Sequence, residues 1–230
     1  MNRQAQAVVL LLFGGAILRA SLSDLYLRYV KEGLRPFLIA AGVALVATAI
    51  ATLLYERRPR DDHGHGHHEP RVGWLLILPV LGLLLVAPPA LGSFTAGQSG
   101  TLPVSDSDYA ALPSDDPAPI GLLDYASRAL FDDGRSLAGR RVRLTGFVAP
   151  GPDGAPMLAR IVMSCCAADG RPIKVGLTGG PVVDVPAGTW IQVTGTHSTR
   201  RGTDPVNQAE IAYLEVAQWQ PITPPKQPYE

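Results

Sequence analysis

The chain has 230 residues and no formal net charge, with 20 basic and 20 acidic residues. That balance excludes a global basic field for nucleic acid and a global acidic field for basic partners. The length leaves room for one membrane module and one small domain. Only 17% of residues are charged, and two long stretches, 36–54 (PFLIAAGVALVATAIATLL) and 72–92 (VGWLLILPVLGLLLVAPPALG), carry none.

Uncharged apolar runs of about 20 residues match a bilayer core of roughly 30 Å at 1.5 Å per residue. Both segments are therefore expected to span a membrane. The first segment, 5–22, begins with the apolar AQAVVLLLFGGAIL and is then interrupted by Arg19. It fits a span whose arginine snorkels to the interface, or the hydrophobic region of a signal peptide after Arg3. A retained span is preferred, because an arginine just past the apolar run suits a cleavage site poorly. The expectation is an α-helical membrane module over 1–92 with about three spans.

Arginines bias the orientation. Arg3, Arg57, Arg58, Arg60 and Arg71 fall on the side of the N-terminus and the second loop. Arg28, Lys31 and Arg35 fall on the other side, and 93–127 holds no Lys or Arg. The expected location is the plasma membrane, multi-pass, with the 55–71 loop cytoplasmic and the C-terminal domain extracytoplasmic. Within that loop, DDHGHGHHEP (61–70) gathers His63, His65, His67 and His68, four of the five histidines. Imidazoles spaced by glycine can wrap a zinc-like ion reversibly; the alternative is a hydrophilic spacer.

Residues 93–119 are small, polar and proline-rich without apolar periodicity, which reads as a flexible linker. Beyond it, 120–220 reads as a small all-β domain with one helix, and 221–230 as a tail. In 120–133, Leu122, Leu123, Ala126, Ala129 and Leu130 share a helical face, and Gly134 is a natural stop. Five strand-like runs follow at 140–149, 156–165, 172–179, 189–198 and 209–219, separated by glycine–proline turns. Five short strands with one helix fit an OB-like barrel. Nucleic-acid binding is not expected: residues 118–220 hold ten basic and nine acidic residues, with no basic stripe among stacking aromatics.

The only two cysteines, Cys165 and Cys166, are adjacent in MSCCAADG. They read in three ways: one core and one surface residue of a strand, a strained vicinal disulfide, or a pair of thiolates for a soft or borderline metal such as Zn(II) or Cu(I). His197 in the THS turn and Met163, on the same face as Cys165, are candidate further ligands, set against a surface histidine and a core methionine. No phosphate-binding glycine loop, G-x-S-x-G or H-E-x-x-H occurs, and the spans at 36–54 and 72–92 contain no ionisable residue of an ion pathway.

The stretch RIVMSCCAADGRP (160–172), with GFV (146–148) and GTWIQVTG (188–195), resembles the YcgQ-like family of bacterial membrane proteins. The match is carried by the R-x-x-M-x-C-C-A-A-D pattern, here Arg160, Met163, Cys165, Cys166, Ala167, Ala168 and Asp169. Gly170 departs from it, since an alanine commonly follows that aspartate. The resemblance implies a permease subunit acting beside a multi-span permease. The resulting expectation is a non-catalytic accessory subunit whose outer domain binds a transition metal, zinc first, at the cysteine turn. A membrane-tethered thiol redox protein and a structural anchor with an inert barrel are the alternatives.

Overall fold

The computed structural model describes residues 3–56, 82, 89–106 and 108–230. It divides into two units, Met1–Pro89 and Ala90–Glu230.

In the first unit, helices α1 (Arg3–Leu22) and α2 (Arg35–Glu56) pack against one another through two glycines. A methyl group on Gly14 would lie 2.8 Å from Val46 Cγ2 and 3.0 Å from the Gly42 carbonyl; one on Gly42 would lie 2.8 Å from Leu18 Cγ. Small residues at this crossing let the two backbones approach. The turn between the helices is tied by Arg35, whose Nε donates to the Ser21 carbonyl at 3.0 Å and whose guanidinium lies 5.6 Å from the Tyr26 ring centre. A cation there satisfies one of the free carbonyls at the end of α1 and complements its dipole.

Three spans were expected, and the described residues contain one helix long and apolar enough to cross a membrane, Glu32–Leu54, with a mean hydropathy of 2.5. The first expected span is helical, but its apolar portion is limited to Gln6–Leu22. Seventeen residues rise about 26 Å, short of the roughly 30 Å core. The expected span at 72–92 lies outside the described residues apart from Gly82 and 89–92, and the histidine loop at 61–70 lies wholly outside them.

The second unit is built on a closed five-stranded barrel, and it is OB-like. Strands β2 (Val142–Pro150), β3 (Pro156–Val162), β4 (Arg171–Thr178), β5 (Trp190–Thr203) and β6 (Glu210–Pro221) follow the order β2-β3-β4-β6-β5, and β2 pairs back onto β5. All neighbours are antiparallel except β4 and β6, which run parallel. A two-residue strand, β1 (Ala118–Pro119), adds to β2 in parallel. Inward side chains Leu144, Leu158, Ile173, Val175, Ile191, Val193 and Leu214 fill the barrel. Leu122, Tyr125, Ala126 and Ala129 on the buried face of helix α4 (Leu122–Phe131) join the same core. The helix ends at Phe131 with Asp132 at its C-cap; Asp133, at φ +47°, turns left-handed first, and the expected stop Gly134, at φ +69°, follows it and opens the next 3₁₀ turn.

A second apolar layer lies outside the barrel. Phe147, Ala149, Ala159, Ile161 and Met163 are covered by Ala96 of the short helix α3 (Ser93–Gln98) and by Tyr229. This explains why the inward–outward alternation of β2 fails from Gly146 onward: both faces are buried there.

The 93–119 segment, expected as a flexible linker, and the 221–230 tail both belong to this unit and are held on the barrel. Lys174 Nζ donates to the Ser99 carbonyl at 2.8 Å and to Asp204 Oδ2 at 2.9 Å, while Thr101 N–H also donates to Asp204 Oδ2. Further along, Arg128 reaches the Ala110 carbonyl and lies over the Tyr109 ring, and Arg140 reaches the Pro113 carbonyl. Composition missed this because the segment is secured by backbone groups bonding to distant side chains, which leave no periodic signal. The tail pairs through Tyr229 with Ile161, and the Glu230 carboxylate accepts the Leu122 and Leu123 N–H groups at the start of α4.

Candidate metal centre

The cysteine pair sits in the turn from β3 to β4. β3 ends at Val162, and a single 3₁₀ turn, Ala167–Asp169, precedes β4. Cys166, extended at φ −153°, ψ 168°, caps that turn. Its side chain accepts the Asp169 N–H and the Asp169 side chain accepts the Cys166 N–H, a capping box with sulfur in the place of a serine oxygen.

Asp169 clasps the whole turn. Oδ1 accepts Ser164 N–H at 2.8 Å; Oδ2 accepts Cys165 N–H at 2.8 Å, Cys166 N–H at 3.2 Å and the Cys165 thiol at 2.9 Å. The Cys165 thiol and the three amides pull the Asp169 carboxyl down to about 2. Reciprocally, the hydrogen bond to Asp169, then the one to Cys166, push the Cys165 thiol up to about 11. A carboxylate that accepts three amide N–H groups is strongly stabilised as the anion, and a thiolate beside it would be repelled.

The two sulfurs are 3.6 Å apart and both cysteines are free, Cys165 exposed and Cys166 half-buried. Together Cys165, Cys166 and Asp169 form a group whose ligand atoms all lie within 4.8 Å of one another. Two thiolates on one tetrahedral zinc ion, each at ~2.3 Å, are about 3.8 Å apart. The sulfur spacing thus matches an edge of that tetrahedron. A protonated thiol cannot ligate strongly, so an ion entering here takes the place of the Cys165 proton and frees one acceptor direction on Oδ2.

The other expected site residues lie elsewhere. His197 is on β5 opposite Leu214, beside Gly134, with a hydrogen bond to the Ala129 backbone. Burial, then the nearby Arg201, lower its pKa. It is not among the residues of the cysteine group. Met163 is 3% exposed and fills the outer apolar layer, and its N–H donates to the Glu230 carbonyl. Arg160 holds the tail, donating to the Gln227 carbonyl at 3.0 Å and lying 5.8 Å from the Trp190 ring centre; burial lowers its pKa, against the opposing pull of Glu230. His63, His65, His67 and His68 lie outside the described residues.

Gly170 closes the turn tightly. A methyl group there would lie 2.7 Å from Leu91 Cδ1 and 3.1 Å from Ile161 Cγ2. Leu91 is fixed in turn by its N–H, which donates to the Tyr229 hydroxyl at 2.9 Å. The role of Asp169 was readable in part, since C-A-A-D has the spacing of a capping box; the contact of Leu91 with the turn had no sequence signal.

Residues 128–230 match the family described as the DUF1980 C-terminal domain, an uncharacterised family domain. The match begins within α4 and takes in every strand of the barrel and the cysteine turn. No curated protein and no solved structure matches the chain.

Proposed function

We propose that the chain is a membrane-anchored, non-catalytic accessory protein whose barrel binds a transition-metal ion, zinc first, at Cys165, Cys166 and Asp169. The observation that carries this reading is the convergence of two free sulfurs 3.6 Å apart with a carboxylate, all ligand atoms within 4.8 Å. Two thiolates and a carboxylate form a borderline donor set suited to zinc.

The anchoring role is supported by α2, which turns Phe37, Val43, Ile50 and Leu54 outward. Such a surface suits lipid or another helix and not water. In this reading the helices pack beside a multi-span permease in the plasma membrane, and the barrel works on the extracytoplasmic side, where it presents the ion.

Zinc titration of the purified full chain tests the site. His63, His65, His67 and His68 are first replaced by alanine, so that only the barrel is titrated. One ion per chain is expected, with Cys165→Ser and Cys166→Ser each lowering affinity at least a hundredfold. Unchanged affinity in both variants would overturn the reading. Recovery of a permease in stoichiometric amount, on purification from native membranes in mild detergent, tests the partner; recovery of the chain alone would refute it.

A further inference from the structure

The cysteine turn offers three donors, and a tetrahedral ion takes four. The fourth corner is not provided by a histidine, cysteine or acidic side chain among the described residues, and Cys165 stands exposed at the turn's outer side. Structural sites close all four positions, and sites that leave one open keep it for an incoming group.

The turn is also held in shape by bonds that need no ion. Ser164, Cys165 and Cys166 direct their N–H groups at Asp169, and Gly170 is wedged between Leu91 and Ile161. Losing an ion therefore does not require the turn to unfold, unlike a small zinc-dependent fold.

We propose that this is an exchange site, from which the ion passes directly to an imidazole or thiolate of a partner protein that enters the open corner. The inference rests on the metal-binding reading above. The incoming donor's lone pair forms a bond to the ion at the open corner. The bond from the ion to the exposed Cys165 sulfur then breaks, its electron pair staying on sulfur, which takes a proton from solvent. The remaining bonds to Cys166 and Asp169 break in turn as further partner donors bind. No electron is gained or lost by the ion.

The test uses the full chain with the four loop histidines replaced by alanine, loaded with one zinc ion and mixed with excess 4-(2-pyridylazo)resorcinol as the probe acceptor. Direct exchange predicts a transfer rate that rises about tenfold when the chelator is raised tenfold. A rate independent of chelator concentration would mean that the ion leaves before the acceptor arrives, and would overturn the proposal while leaving metal binding intact. A chain that retains no zinc at the loading step would overturn the metal-binding reading and this inference together.

Discussion

The Cys165 thiol donates to Asp169 Oδ2 across 2.9 Å, the same oxygen that holds the backbone N–H groups of Cys165 and Cys166. One carboxylate oxygen thus organises the turn and keeps the outer thiol protonated. These two effects oppose each other in any chemistry of the sulfur, and they can be separated by substitution.

Asp169→Ala should raise the reactivity of Cys165 while weakening metal binding. Removing the carboxylate releases the thiol from about 11 toward the ordinary value. Alkylation by iodoacetamide at pH 8 is then expected to accelerate on the order of tenfold or more, after allowance for the lower nucleophilicity of a less basic thiolate. Zinc affinity should fall, because one donor and the preformed turn are both lost. A variant that binds zinc as tightly as the parent would show that Asp169 takes no part in the site.

Metal affinity should climb with pH. An ion must displace the Cys165 proton, so affinity is expected to increase at least about tenfold per unit between pH 6 and pH 8. The metal-free turn responds the other way at the alkaline end. A raised thiol pKa contributes stability that is complete below the unfolded value of about 8.5 and lost as pH rises through about 11. The lowered Asp169 contributes stability that is complete above its unfolded value and lost as pH falls through about 2. Amide exchange of Ser164, Cys165 and Cys166, followed against pH, reads both limbs.

Lys174 and Asp204 form an ion pair with side chains 5% and 0% exposed, and with further partners in Ser99, Thr101 and Val206. Burial pushes the Asp204 carboxyl up, and the Lys174 bond with the Val206 and Thr101 amides brings it below its ordinary value. Lys174→Met leaves a buried carboxylate without its cation and should cost about 3–5 kcal/mol. The double replacement Lys174→Met with Asp204→Leu should recover part of that loss. Denaturant unfolding followed by Trp190 and Trp219 fluorescence measures both.

Glu230 caps α4 from the far end of the chain, its two carboxylate oxygens 2.9 and 3.0 Å from the Leu122 and Leu123 N–H groups. Gly121 at the cap position has no side chain to do so. Glu230→Ala should cost about 1 kcal/mol by the same denaturation assay.

Much of the barrel was legible because its strands alternate and its turns carry glycine and proline. The runs at 140–149 and 189–198 correspond to β2 and β5, although β5 continues through a register shift between Ser198 and Arg201 to Thr203. The 93–119 segment was misread because Thr101, Ala110 and Pro113 are held through backbone groups by Asp204, Arg128 and Arg140, distant in sequence. Cys165 and Cys166 were visible as a pair, and Asp169 stood in the motif. His197 was drawn in by residue type in an expected turn and Met163 by an expected strand face shared with Cys165, and the fold puts one beside Gly134 and the other in an apolar layer.

The most direct test of the central claim is the absorption spectrum of the full chain, with the four loop histidines replaced by alanine, after loading with cobalt(II) in place of zinc. Binding at the cysteine turn predicts an intense near-ultraviolet sulfur-to-cobalt charge-transfer band that saturates at one ion per chain. Its intensity should correspond to two thiolates, fall to about half in Cys165→Ser or Cys166→Ser under saturating metal, and disappear in the double variant. Cobalt binding without that band, or a band indifferent to both substitutions, would contradict the assignment of the metal to Cys165 and Cys166.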